Sequence, residues 1–177
     1  MTSRIAALWR FIRRLLDTAY LIGGILGAIC LVAILILVTL QMAARWTGEM
    51  VPGLADYAGY FMAASSFFAF AYALNSGSHI RVNILLNQLG QYRRWGEFWC
   101  FAIGSVLASS WAFFAIKAVY WSGKLGDISQ GLDATPIWIP QLAMAVGSSL
   151  FAISLIDNLV RVTFFGHHGM RNQVIEG

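Results

Sequence analysis

Between Asp17 and Arg45 the chain carries no charged residue, and three further uncharged stretches follow at 57–78, 98–116 and 134–156. Each is long enough, or nearly so, for a helix to cross the hydrocarbon core of a bilayer, which takes about 20 mainly apolar residues. The backbone has few alternatives in such a run. Within lipid its amides and carbonyls must be satisfied internally, so only helices and closed barrels span. Membrane barrel strands alternate over about ten residues, and these runs are continuous. The first is also too long for a signal-peptide core of about 7–15 residues, so it reads as a retained anchor.

Composition supports the same class. Only 11% of the 177 residues are charged and 59% are hydrophobic, against about 25% charged in a typical soluble domain. A short soluble chain keeps a large surface in water, and this one lacks the charge to cover it. The expected fold is an all-α integral membrane protein with four transmembrane helices at about 18–44, 57–76, 98–116 and 134–156. A cytoplasmic amphipathic helix at 1–17 precedes a membrane domain at 18–160, and a cytoplasmic tail at 161–177 follows.

Arginine and lysine placement sets the expected orientation. Arg4, Arg10, Arg13 and Arg14 precede span 1. Arg81, Arg93 and Arg94 lie between spans 2 and 3, and Arg161 and Arg171 follow span 4. Arg45, Lys117 and Lys124 fall on the other side. Both termini are therefore predicted to face the cytoplasm. Trp46, Trp121 and Trp138 mark the outer boundary and Trp95 and Trp99 the inner one, as interfacial aromatics do.

Two segments read as interfacial helices on the cytoplasmic side. Ile5, Leu8, Ile12, Leu15 and Leu16 recur at helical spacing, with Arg10, Arg13 and Arg14 on another face. Such a basic amphipathic helix suits an anionic phospholipid leaflet. After His79 and Arg81, Val82, Leu85, Leu86 and Leu89 repeat at i, i+3, i+4, i+7, with Asn83, Asn87 and Gln91 opposite. Arg10, Arg13, Arg14, His79 and Arg81 are thus the candidate headgroup contacts.

Several functions are disfavoured. No acidic or basic residue lies inside the uncharged runs, where it would mark a solute pathway. Gly- or Pro-broken spans, the mark of a transporter substrate site, are also missing, since Pro136 and Pro140 fall at the start of span 4. All three histidines lie outside the spans, which removes axial haem ligation. Cys30 and Cys100 sit singly in apolar runs and suggest no metal site. No aromatic–basic platform for nucleic acid occurs, and no nucleophile–base arrangement is visible. The chain is expected to be no enzyme and to carry no cofactor. Small-residue stripes do occur: Gly23 and Gly27; Ser65, Ala69 and Ala73; Gly104, Ala108 and Ala112. They permit close helix approach. Phe67, Phe68, Phe70, Phe113 and Phe114 are left to face lipid or a membrane partner. The Gly- and Asp-rich stretch at 122–136 is either a solvated turn or a docking surface.

Four patterns occur in order: Asp56 just before span 2, "SHIRVNILL" after it, "SGKLGDIS" after span 3, and "TPIWIPQLAMAVG" leading into span 4. Together they resemble the small membrane (Q) subunit of tripartite ATP-independent periplasmic (TRAP) transporters, over roughly residues 21–151. Asn83 stands where that family often has Asp, and Asp56 is alone where it often has a pair of acids. The resemblance implies a non-catalytic scaffold in the bacterial inner membrane, part of a sodium-coupled importer of organic acids. Its partners would be a large membrane subunit of about twelve spans, which holds the sodium and the substrate and moves as an elevator, and a periplasmic substrate-binding protein. Lys124 and Asp127 are the candidate contacts to that binding protein. The competing expectation is a self-sufficient, homo-oligomeric small transporter or channel.

Overall fold

The computed structural model describes residues 2–49, 51–76, 93–131 and 134–165, with side chains from Arg13 in the first helix, from Trp95 in the third and up to Thr163 in the last. Four helices account for nearly all of it: α1 (Thr2–Thr47), α2 (Leu54–Asn75), α3 (Arg93–Leu125) and α4 (Trp138–Phe165). All four are long and apolar enough to cross a membrane, and no strand forms among the described residues beyond one isolated bridge between Ile128 and Pro136. The segment holding His79, Arg81 and the second amphipathic pattern lies outside the described residues, as does the tail beyond Phe165.

Helix length follows the apolar runs and then exceeds them. At about 1.5 Å per residue, the 22 residues of α2 reach about 33 Å, close to a hydrocarbon thickness of about 30 Å. The 46 residues of α1 reach about 69 Å. This helix joins the basic amphipathic segment and the first span without a break. Likewise α3 continues past Lys117 to Leu125. A charge ends an apolar run but not a helix, because lysine is a good helix former.

Glycines stop α1 and α3. Gly48 and Gly126 take φ of +81° and +69°, the left-handed conformation that glycine adopts without a Cβ penalty. The next amides fold back: Glu49 N–H donates to the Ala44 carbonyl at 3.0 Å and Asp127 N–H to the Ser122 carbonyl at 3.1 Å. Both are the six-to-one bonds of a Schellman ending. At the start of α4, Pro140 falls in the first turn, where an amide has no intrahelical partner to lose.

The helices form an open layer. α1 packs along α2, α2 along α4, and α4 along α3, while α1 meets α4 only slightly. α4 is therefore the hub, and 33% of its apolar window is buried against 17% in each other helix. Most of what is buried is small, as with Ala64, Ser65, Ala71, Ala108, Ala112, Ala145, Ser148 and Ala152. What is exposed is large. Leu35, Leu107, Phe113 and Phe114 are each more than 60% exposed. A soluble core has the opposite order.

The small residues meet one another. A Cβ on Gly23 would stand 2.9 Å from the Phe68 carbonyl oxygen, and one on Gly27 3.1 Å from that of Ser65. One on Gly147 would come within 2.5 Å of the Phe67 carbonyl oxygen. Backbone therefore lies against backbone at α1–α2 and at α2–α4. The stripe Gly104, Ala108, Ala112 likewise faces α4, with Ala108 and Ala112 in one cluster with Leu74, Ala152 and Leu155. Gly147→Ala should cost about 1–3 kcal/mol through overpacking, seen as a lowered midpoint in tryptophan-monitored thermal unfolding. Gly59→Ala, whose Cβ meets nothing within 4 Å, should not destabilise and should gain up to about 1 kcal/mol, since alanine is the better helix former.

Candidate functional site

Acidic and basic side chains among the described residues keep to the two ends of the layer, except Lys117, about two turns in from the end of α3. At the end marked by Trp95, the α4 turn carrying Asp157 and Arg161 closes an i, i+4 ion pair between their side chains. Arg161 is only 3% exposed. About 34 Å of helix separates it from Trp138, so it stands one hydrocarbon thickness away from the opposite end. A guanidinium this buried needs a carboxylate beside it, because desolvation otherwise costs several kcal/mol. Tyr20 of α1, 1% exposed, lies against the same turn, its hydroxyl beside that of Ser154 and within electrostatic reach of Asp157 and Arg161.

At the end marked by Trp46, the loop between α3 and α4 is built rather than loose. Ser129 N–H donates to the Thr135 carbonyl at 2.8 Å and Ile137 N–H to the Asp127 carbonyl at 3.0 Å, which closes it into a hairpin. Ala134 takes φ of +48°, a conformation that a non-glycine residue holds only when its surroundings impose it. Two tyrosines one turn apart on α2 fasten this loop. Tyr60 donates its hydroxyl to Ser129 Oγ at 2.6 Å, and the Tyr57 hydroxyl and Thr135 Oγ1 stand 3.2 Å apart. The Gly131 amide also donates to Ser129 Oγ at 3.2 Å. Beside the loop, Gln41, Arg45, Glu49, Asp56 and Gln130 line an open cup of about 450 Å³.

Between the ends, an apolar groove of about 530 Å³ runs over α4 between α2 and α3. Phe67, Phe70, Trp111 and Phe151 form most of its wall and Ser148 is its one polar side chain. The Phe67 and Trp111 rings meet across it, with centroids 6.3 Å apart.

Of the sequence-predicted contacts, Arg14 is exposed and Arg13 half-buried on α1. Arg10 lies in α1, with its side chain outside the described residues; His79 and Arg81 lie outside them altogether. Lys124 and Asp127 are both exposed where α3 passes into the α3–α4 loop. The Lys124 ammonium sits 5.4 Å from the centroid of the Trp121 ring, and Asp127 contributes its backbone to the hairpin. The buried group at the Trp95 end went unread in sequence. Its one signal is the i, i+4 spacing of Asp157 and Arg161, which looked like the polar margin of span 4. Among the described residues no group of three or more His, Cys, Asp or Glu side chains gathers as metal ligands.

A family model described as "Tripartite ATP-independent periplasmic transporters, DctQ component" matches residues 34–164, well over half of the chain. No curated protein and no solved structure matches it.

Two outcomes follow from the geometry at the ends. Asp157→Ala should destabilise by about 3–5 kcal/mol by stranding a buried guanidinium, whereas Asp157→Leu with Arg161→Leu should cost much less; chemical unfolding of the three proteins compares them. Tyr60→Phe should lose about 0.5–1.5 kcal/mol of loop fastening, seen as faster backbone hydrogen exchange over residues 127–137 with no change in α3.

Proposed function

Since the chain belongs to the DctQ component family of tripartite ATP-independent periplasmic transporters, we propose that it is the non-catalytic small subunit of a sodium-coupled, binding-protein-dependent importer of organic acids in the bacterial inner membrane. It braces a large, multi-spanning membrane subunit, which holds the sodium and the substrate. Both termini face the cytoplasm, and the basic part of α1, with Arg10, Arg13 and Arg14, lies on anionic headgroups. His79 and Arg81 do the same at the exit of α2.

One observation carries the scaffold reading. Among the described residues, no acidic or basic side chain stands at mid-height in any of the four helices. Asp17, Glu97, Asp157 and Arg161 keep to one end and Arg45, Asp56 and Lys124 to the other, with Lys117 about two turns in from its end. An organic acid crossing a bilayer needs charged or polar partners along its route, and the groove between α2 and α3 offers aromatic and aliphatic walls. The open layer supports the same reading, since broad apolar faces on α1 and α3 stay available to lipid and to a membrane partner. The cytoplasmic termini are supported by the arginine distribution. That places the fastened hairpin with Lys124 and Asp127 on the periplasmic side, where a binding protein docks.

Reconstitution tests the proposal. The chain alone in proteoliposomes should give no uptake. Together with its large subunit and binding protein it should give uptake that requires a sodium gradient. Uptake by the chain alone would establish the competing homo-oligomeric transporter instead. Reversing both charges, with Lys124→Glu and Asp127→Lys, should raise the binding-protein concentration needed for half-maximal uptake by about 2- to 10-fold. An unchanged concentration dependence would remove these two residues from the docking surface.

A further inference from the structure

Six buried side-chain atoms among the described residues have no hydrogen-bond partner: Tyr20 OH, Gln141 Oε1, Ser154 Oγ, Asn158 Oδ1, and Nε and Nη1 of Arg161. Five of the six gather where α1 meets the last turns of α4. Ser154, Asp157, Asn158 and Arg161 follow one another at i, i+3, i+4 and i+7, so they share one face of α4, and Tyr20 comes from α1 onto that face. Tyr20, Ser154, Asn158 and Arg161 are all at least 97% buried. Buried polar groups in folded proteins nearly always find a partner, whether protein or ordered water.

The identity of the missing partner follows from what each atom can do. Asp157 occupies the Nη2 arm of Arg161, which leaves Nε–H and Nη1–H as donors. The Asn158 amide nitrogen donates to the Ser154 carbonyl at 2.8 Å, so its Oδ1 is left purely as an acceptor. The Tyr20 and Ser154 hydroxyls lie beside each other, and even with one donating to the other, both keep capacity for a further partner. The set therefore asks for a ligand that donates and accepts at once. A phosphate or carboxylate only accepts; it would leave Asn158 Oδ1 unmet and add charge to an ion pair that is already neutral. A metal cation would be repelled by Arg161. Water meets every requirement, with two donors, two acceptors and no charge.

We propose that Tyr20, Ser154, Asn158 and Arg161 form a built hydration site, in which at least one ordered water links the first helix to the hub of the layer. α1 and α4 touch only slightly, so such a water would be their main polar joint. The proposal does not depend on orientation, on the transported substrate or on the scaffold role.

X-ray radiolytic labelling tests it, because hydroxyl radicals generated from bound water oxidise the side chains beside that water. The chain, purified together with its membrane partner in phosphatidylcholine nanodiscs, is irradiated and its peptides are analysed by mass spectrometry. Tyr20 should oxidise about tenfold faster than Phe67 and Phe151, whose apolar groove gives water no partners. Asn158→Leu, which removes the acceptor, should lower the Tyr20 rate about fivefold or more; Ser154→Ala is the milder second variant should the first not fold. A Tyr20 rate no higher than that of the two phenylalanines would overturn the proposal. So would a rate unaffected in the variants, which would mean access from bulk solvent. Protection of Tyr20 on adding phosphatidylglycerol would place a lipid phosphate there and equally refute bound water.

Discussion

Close approach of helix backbones is the condition on which this structure rests. Lipid tails are as apolar as leucine, so burying leucine between helices gains little in a membrane, and dispersion contacts must hold the layer together. Contact is closest where no side chain intervenes. Gly147 brings α4 onto the Phe67 carbonyl, and Gly23 and Gly27 bring α1 onto Phe68 and Ser65. The alanines and serines of the buried set extend these seams along α2, α3 and α4. Large side chains are displaced outward as a consequence, and the apolar exterior and the thin interior have one cause.

Polar groups are then restricted by the same solvent. The charged ones concentrate toward the ends, and two groups there are fastened. Arg161 is held by Asp157 on its own helix, and the α3–α4 hairpin is held by Tyr57 and Tyr60 on another. An apolar middle with organised ends is a suitable form for a part that braces an assembly and does not itself conduct. The DctQ family membership makes the chain a component of such a transporter, and the physical layout supports the bracing role proposed for it.

The four helices were legible because hydropathy over twenty residues is a strong, local signal. The stripes Gly23/Gly27 and Gly104/Ala108/Ala112 were legible as close-packing faces too, although the sequence left open whether they pack inside the bundle or on a partner; the first packs on α2 and the second on α4. The helix order was not legible, since every run looks alike and spacing says nothing about neighbours. Tyr20 was not legible as a neighbour of the α4 turn carrying Arg161 because nothing local links residues so far apart in the chain. Arg161 itself was counted with the tail, as charge normally marks the end of a span, and only the fold shows it paired and buried within α4. Tyr57 and Tyr60 were passed over for a similar reason. Their role exists only once the distant loop containing Ser129 and Thr135 folds back over them.

The central claim is that these helices form an open layer with α4 as hub, leaving α1 and α3 to face outward. The most direct measurement is an experimental structure of the chain in a lipid bilayer with its membrane partner, examined for which helix neighbours which. The account predicts the order α1, α2, α4, α3, with Gly147 against Phe67 and no contact between α1 and α3. A closed ring in which α1 packs against α3, or an α4 turned so that Gly147 faces lipid, would contradict it.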